Sequence, residues 1–346
     1  QIIAEKDPEA GLSTFLSGSY GYDVLWSTPS SMISHMFLDL LGYHDVVAEH
    51  VELYRKYQGT VKPPGPSYTL HPGYFSTPKT LTSFDWLTDH GAVLEIVSRH
   101  ALLSGDQKFI DEWLEPILNA CEFIKDACSK TNHPGFKGLM PPAVATDANI
   151  PTQAVWNQAW TYKGLGSAVR LLKKLHHPRA PEFERLAQDF RATFVNAFRE
   201  VTARQPRWTD SDGNRHPVLP MDLIPPPRHH LFDDCILFDA GPLATVWAGL
   251  MDAHDPDMRS FVKFFREGPN TRLRSTRPNA IDRVVLAHEI SSCEPCYSWN
   301  IVHSWQLGDR EKFLEGMYSL FTGAISPQTY INGEHRHGMY GTVFVA

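Results

Sequence analysis

The feature that most constrains the fold is a repeat in which two apolar-periodic segments flank a short turn. It occurs five times, with the turns centred near residues 42, 105, 177, 254 and 308. In three of these turns a glycine (Gly42, Gly105 or Gly308) stands where the first helix is expected to end. Apolar residues spaced i, i+3, i+4 and i+7, as between Phe109 and Ile124, predict helices on both sides. The chain is therefore predicted to be all-α and built from stacked helical hairpins.

The connections alternate in length. Each hairpin closes over a few residues, whereas successive hairpins are joined by long segments: 59–82, 129–152, 203–233, 268–291 and 322 onward. Antiparallel hairpins in series place every short turn on one face and every long loop on the other. Because loops on a rigid scaffold usually carry function, the long-loop face is the predicted functional face.

The helices that follow the long loops start with carboxylates or amides mixed with aromatic residues. The main members are Asp23 and Trp26; Asp85, Trp86 and Asp89; Trp156, Asn157 and Trp160; Asp233 and Asp234; and Glu294 and Trp299. A single carboxylate in a first helical turn is better explained by capping or by the helix dipole than by a functional role. The accompanying aromatic and amide side chains indicate carbohydrate recognition, in which rings stack on sugar C–H faces and polar groups bind hydroxyls.

Several segments resemble those of the six-hairpin, (α/α)6-barrel glycosidases, the group that includes glucoamylases, trehalases and α-L-rhamnosidases. Residues 89–124 are similar to their inner helix, Gly-Asp turn and outer helix, and residues 135–149 to their Gly-Leu-x-Pro loop. Residues 18–27 look like the aromatic-Asp segment of their −1 subsite, and residues 307–335 like their final hairpin and its Glu-bearing loop. No trehalase-type Gln-Trp-Asp-x-Pro string is present, so no individual family is assigned.

The resemblance implies a single (α/α)6 toroid over residues 1–346, with the active site in a pocket at the long-loop face. Only five hairpins are visible in the sequence, where the barrel has six. The sixth is expected either from residues 7–19 together with C-terminal residues or not at all.

The resemblance also implies an inverting hydrolase, whose general acid and general base stand about 6.5–9.5 Å apart to admit a water. Glu334, in the Gly-flanked loop after the last hairpin, is the predicted base, and Glu294 is the predicted acid. Asp234 is the substitute catalytic carboxylate, with Asp89 behind it. The residues predicted to bind sugar are Asp23, Trp26, Asp85, Trp86, Asp89, Trp156, Asn157, Trp160, His335, Arg336 and His337. His90 is expected to be a packed histidine.

The segment from Glu334 to Tyr340, EHRHGMY, leaves other readings open. It could be an exposed ion-pair loop, or it could serve a polysaccharide lyase or a sugar epimerase on the same barrel. A metal site on His335 and His337 is disfavoured because no third His or Cys follows at a suitable spacing. A non-catalytic glycan-binding toroid is a further alternative.

Composition narrows the partners. The 346 residues carry a net charge of −7 with the signs interspersed, which disfavours nucleic acid and anionic membranes as partners. The five cysteines include one CxxC pair, Cys293 and Cys296, without a second pair to complete a zinc ribbon. We expect no cofactor and no metal, and an oligo- or polysaccharide as the substrate. The sequence leaves oligomeric state open, and we favour a secreted or periplasmic location over a cytoplasmic one.

Overall fold

The computed structural model describes residues 4–16, 18–19, 24–25, 28–77, 79–82, 85–145, 149–224, 236–267, 296–323, 332–333 and 344–345. Within these ranges lie ten helices: α1 Thr28–Leu40, α2 His44–Tyr57, α3 Thr88–Ser104, α4 Gln107–Ser129, α5 Val155–Lys174, α6 Ala180–Thr202, α7 Ile236–Ala248, α8 Pro256–Glu267, α9 Cys296–Gln306 and α10 Arg310–Gly323. The same ranges contain seven short strands: β1 Ala4–Lys6, β2 Ser13–Phe15, β3 Gly18–Ser19, β4 Arg207–Thr209, β5 Arg215–Pro217, β6 Asn332–Gly333 and β7 Phe344–Val345. The predicted all-α class and the five hairpin turns are confirmed.

The chain divides into two compact units. The first comprises residues 1–153 and 157–194, and the second comprises residues 154–156 and 195–346. The prediction that residues 1–346 form one domain stays a prediction.

Helix α3 forms the centre of the first unit. It packs against α1, α2 and α4, and every side chain from Thr88 to Ser98 is buried. Such a helix shows no polar stripe, which is why its sequence is apolar on most sides. Helix α4 instead buries one face, including Phe109, Trp113 and Ile117, while its other face is exposed.

The turn between α3 and α4 shows why the hairpin signal in the sequence is reliable. Gly105 ends α3 in the left-handed region with φ +63°, a conformation that favours glycine. Asp106 then caps α4, because its Oδ1 accepts a hydrogen bond of 2.9 Å from the Lys108 N–H.

Helices α3 and α5 approach unusually closely. A Cβ added at Gly91 would stand 2.4 Å from the Trp160 backbone, and one at Gly164 would stand 2.5 Å from the Gly91 carbonyl oxygen. Gly91 and Gly164 therefore allow the two helices to approach closely. Among the described residues, a Cβ at Gly166 would meet no neighbouring helix, since its closest packing contact would be the Arg170 side chain at 3.9 Å.

The N-terminal segment is not helical. Strands β1 and β2 pair antiparallel, with Ala4 opposite Phe15 and Lys6 opposite Ser13. The turn between them is closed by Asp7, which accepts hydrogen bonds from the Ala10 N–H at 2.6 Å and the Tyr57 hydroxyl at 2.7 Å. The expectation that residues 7–19 supply a helix of a sixth hairpin is therefore wrong for residues 13–15. A Gly-bearing turn beside the alternating Ser-Thr-Phe run favours a strand.

In the second unit, α7 packs against α8 and α9, and α9 packs against α10. The β4–β5 hairpin closes through an Asp-Ser-Asp-Gly-Asn turn whose Asp210 accepts the Asn214 N–H at 2.8 Å. Lys263 on α8 donates to Asp210 at 2.8 Å and to Asp212 at 2.7 Å. Together with the bond from His216, the Lys263 ammonium holds the pKa of Asp210 well below its usual range.

Helix α4 also buries two free thiols, Cys121 and Cys128. Burial raises the pKa of each thiol to about 12 because the thiolate would lose its hydration. Across the described residues, none of the helices has the length and apolar character that a membrane span requires.

Candidate functional site

The first residues of α3 meet a long loop and the start of α5 in the first unit. The Leu87 N–H donates to the Val144 carbonyl at 3.0 Å. The Asn157 side-chain amide donates to the carbonyls of Ala143 and Val144, each at 3.4 Å. We call residues 85–89, 143–145 and Asn157 the α3 corner. It contains four of the predicted sugar-binding residues: Asp85, Trp86, Asp89 and Asn157.

Two buried glutamines hold the loop that leads into the α3 corner. Gln153 accepts from the Phe136 N–H at 2.9 Å and donates to the Phe136 and Met140 carbonyls at 2.9 and 3.1 Å. Gln158 accepts from the Met140 N–H at 3.1 Å and donates to its carbonyl at 3.2 Å. Sequence analysis assigned no role to Gln158. The available signal was a pair of amides five residues apart at the start of a helix that follows a long loop.

The two acids of the α3 corner have different surroundings. Asp89 is 2% exposed, and its Oδ2 accepts the Trp86 N–H at 3.2 Å. That bond ties the Asp89 carboxylate to the backbone just before α3, at the positive end of the helix dipole. Asp85 lies nearer the surface and forms an ion pair with the exposed Lys79. Asp85 is therefore the more accessible of the two to a ligand.

Three buried polar atoms of the α3 corner have no hydrogen-bond partner among the described residues. They are Trp86 Nε1, Thr88 Oγ1 and Asn157 Oδ1. An unpaired buried donor or acceptor typically costs about 1–3 kcal/mol. A donor, an acceptor and a hydroxyl that can do either are the groups needed to bind the hydroxyls of a polar ligand.

His90 follows the α3 corner and is a packed residue, as expected. Its Nδ1 accepts the Phe75 N–H at 3.1 Å, and its ring stands edge-on to Phe123 at 4.6 Å. Burial lowers the pKa of His90 to about 3, which the backbone of Ala120 only partly opposes. The ring is therefore neutral near neutral pH and is not a proton donor there.

The two tryptophans of α5 are buried. Trp156 is 5% exposed and Trp160 is fully buried. Their prediction as sugar-binding residues stays a prediction. The backbone of Trp160 lies against Gly91 of α3.

The remaining predicted site residues lie outside the described residues. These are the three catalytic candidates and five of the sugar-binding candidates: Glu334, Glu294, Asp234, Asp23, Trp26, His335, Arg336 and His337. Their roles stay predictions.

One group among the described residues has the donor types and spacing that a metal ion requires: Asp39, His44 and His100. His100 stands ten residues after His90 on α3, about 15 Å along the helix axis. Burial alone would raise the pKa of Asp39, but hydrogen bonds from His100 and His44 outweigh it and lower the pKa below its usual value. The Asp39 carboxylate is therefore ionised at neutral pH.

Comparisons with known proteins identify the fold. No protein-family model matches the chain, and no curated protein matches it. A structure titled wild-type glycosidase is 12% identical with a TM-score of 0.55, covering 93% of this chain and 81% of that one. A metal-independent α-mannosidase of Streptococcus pneumoniae, in a non-productive complex with α-1,6-mannobiose, is 11% identical with a TM-score of 0.55, covering 93% and 82%.

A third similar structure is a rhamnosidase from Klebsiella oxytoca with rhamnose bound. It is 10% identical with a TM-score of 0.50, covering 87% of this chain and 48% of that one. The chain has the helical-barrel fold of these glycosidases. At such low identity the likeness establishes the fold alone, and function has to be argued from the site.

Proposed function

We propose that the chain is a glycoside hydrolase. The observation that carries the proposal is the α3 corner, where three buried polar atoms, one of them on Trp86, have no hydrogen-bond partner among the described residues and two acids lie nearby in the chain. The fold supports it, since the similar structures include a glycosidase in complex with glucose and a rhamnosidase with rhamnose bound. The sugars in these two structures and in the α-1,6-mannobiose complex define the classes to test first: glucosides, mannosides and rhamnosides.

The proposed role of the α3 corner is to hold the hydroxyls of one sugar ring. Trp86 Nε1 donates, Asn157 Oδ1 accepts, and Thr88 Oγ1 can do either. The Asp85 carboxylate, which is partly exposed beside Lys79, accepts from a further hydroxyl. The side chains of Asp89 and the two buried glutamines hold the corner in place, because they accept hydrogen bonds from backbone N–H groups of the adjoining loops.

The proposed chemistry is inverting hydrolysis in a pocket at the long-loop face. Glu334 acts as the general base that activates a water, and Glu294 acts as the general acid that protonates the leaving oxygen. Asp234 is the substitute for either. These assignments rest on the sequence and on the resemblance to the barrel glycosidases.

The test is hydrolysis of aryl α-glucosides, α-mannosides and α-rhamnosides and of the matching disaccharides. Glu334→Gln and Glu294→Gln should each lower kcat by about 10²–10⁴-fold, the contribution of a positioned acid or base. Sugar binding, measured by calorimetry, should persist in both variants. Glu112→Gln, on the exposed face of α4, is the matched control and should leave kcat unchanged. Proton NMR of the first-formed anomer would report inversion.

Other outcomes would redirect the assignment. Full activity in both variants would remove the two-carboxylate mechanism. A product absorbing as an unsaturated uronide would identify a lyase that uses the His335–His337 segment. Tight sugar binding without turnover of any substrate would identify a glycan-binding toroid.

A further inference from the structure

In the first unit, two histidines from different helices contact the same carboxylate oxygen of Asp39, which lies on a third helix. His44 Nδ1 lies 2.6 Å from Asp39 Oδ1, and His100 Nδ1 lies 2.9 Å from the same oxygen. The two imidazole centroids are 5.8 Å apart. Taking one ligand atom from each residue, all three atoms lie within 4.8 Å of one another.

The local sequence explains how they meet. Asp39 is next to the last residue of α1, and His44 is the first residue of α2, on either side of a turn at Gly42. His100 comes from α3, which packs against both helices. Asp39 and His100 are 2% and 1% exposed, whereas the His44 side chain is 37% exposed. The group is thus buried on two sides and open on the third.

Within the part of the chain that the structure describes, these hydrogen bonds leave one oxygen of the Asp39 carboxylate unpaired. Asp39 Oδ2 is buried and has no hydrogen-bond partner among the described residues. A buried carboxylate normally uses its several acceptor positions, because the charge costs free energy when it is not compensated. Both imidazole Nδ1 atoms are hydrogen-bonded to Oδ1, so Oδ2 keeps its acceptor positions unused among the described residues.

We propose that Asp39, His44 and His100 bind a divalent metal ion of the zinc class. Two imidazole nitrogens and one carboxylate oxygen are a known zinc donor set, and the fourth position would be taken by water on the open side beside His44. Each ring binds through Nδ1 and carries its remaining proton on Nε2. The Phe109 ring, edge-on to His100 at 4.4 Å, excludes water from the inner side.

The distances between the three ligand atoms show how far the side chains must move to bind a metal ion. Ligand atoms about 2.0–2.1 Å from a tetrahedral zinc stand about 3.3 Å apart. The present N–O separations of 2.6 and 2.9 Å are those of hydrogen bonds. Metal binding therefore moves the rings outward by about half an ångström. The half-exposed His44 ring, at the start of its helix, has room for that movement.

The test is a titration of the full chain with Zn²⁺, followed by calorimetry and by thermal unfolding. The wild-type chain should bind one Zn²⁺ ion at this site, and bound Zn²⁺ should raise its Tm. His44→Ala should weaken this binding by about 100-fold or more, since even ligand-supporting contacts are worth 10–100-fold. Asp39→Asn should do the same. The control is His254→Ala, because His254 is an exposed histidine 3.4 Å from Asp252 and should not affect zinc.

The variants separate a folding defect from a lost ligand. His44 is half exposed, so His44→Ala should keep the wild-type circular dichroism spectrum and decides the matter even if Asp39→Asn does not fold. Zinc bound equally well by wild type and His44→Ala would overturn the proposal. The proposal would also be overturned if only His337→Ala abolished zinc binding, or if wild type bound no zinc. None of these outcomes bears on glycoside hydrolysis.

Discussion

The two ends of α3 carry polar chemistry of opposite kinds. At the N-terminal end, Trp86 and Asn157 offer hydrogen-bonding atoms that no described protein group uses. At the C-terminal end, the Nδ1 atoms of His100 and His44 are both hydrogen-bonded to Asp39. One end is suited to neutral polar ligands and the other to a cation. The difference teaches that burial alone does not mark a site, because both ends are buried and only the pattern of unused atoms separates them.

The two histidines of α3 repeat this contrast. His90 is surrounded by rings, including Tyr74 at 5.7 Å and Phe123 at 4.6 Å, and is held neutral. His100 has a ring on one side, Phe109, and a carboxylate on the other. Changes made at one end should therefore leave the other end unaffected.

The largest expected effect comes from breaking the close approach of α3 and α5. In Gly91→Ala the new Cβ would meet the Trp160 backbone at 2.4 Å, and backbone cannot move aside cheaply. We expect the free energy of unfolding to fall by about 3 kcal/mol. Denaturant unfolding measures this, and sugar binding should weaken while zinc binding by the folded protein persists.

The matched control for that variant is Gly166→Ala. Its Cβ would have no described atom nearer than 3.9 Å. The substitution should stabilise α5 by about 0.5–1 kcal/mol through helix propensity. Equal destabilisation by both variants would show that the close approach is not what makes Gly91 necessary.

An intermediate effect is expected from pH. The folded pKa of His90 is about 3 and its ordinary value is 6.5, so the unfolded chain binds this proton more readily. Stability should therefore fall as the pH drops from about 6.5 toward 3. By pH 4.5 the contribution is about 2–3 kcal/mol. His90→Asn, whose Oδ1 can still accept the Phe75 N–H, should flatten this part of the pH profile in thermal unfolding.

The control for the pH experiment is His254→Asn at an exposed position. Its profile should follow that of wild type between pH 6.5 and 4.5. An unchanged profile in His90→Asn would mean that the neutral ring at the ligand-facing end of α3 is not what makes the fold acid-sensitive.

The smallest expected effect on stability is that of Trp86→Phe. The substitution keeps a ring but removes the buried Nε1 donor, which has no hydrogen-bond partner among the described residues. Stability should change by no more than about 0.5 kcal/mol, because relief of the unpaired donor and the cost of the cavity left by the smaller ring oppose each other. Sugar affinity should fall by about 3–10-fold, the worth of one neutral hydrogen bond. Calorimetry measures this, and a loss of stability without a loss of affinity would make Trp86 structural.

The hairpins could be predicted from the sequence because helix periodicity and turn chemistry are local. Gly105 and Asp106 are adjacent, and each does at its own position what its chemistry favours. Residues 13–15 were misassigned because a short strand carries little periodic signal. Its partner, β1, is equally short.

The site was less predictable because its contacts are distant in sequence. Asp89 and Trp86 drew attention through their types, yet nothing local shows that Trp86 Nε1 lacks a partner. Asp39 and His100 are separated by 61 positions, and each reads as an ordinary helix residue by itself. Their meeting follows from the packing of α1 against α3, which periodicity does not specify.

The buried thiols of α4 can be used to measure how often that helix opens. With pKa values of about 12, and with Cys121 fully buried and Cys128 9% exposed, both thiols should react slowly with an alkylating reagent while α4 is folded. Their alkylation, followed peptide by peptide in a mass spectrometer, therefore counts the openings of that helix. Local unfolding of α4 can therefore be measured at its native cysteines, without introducing new ones.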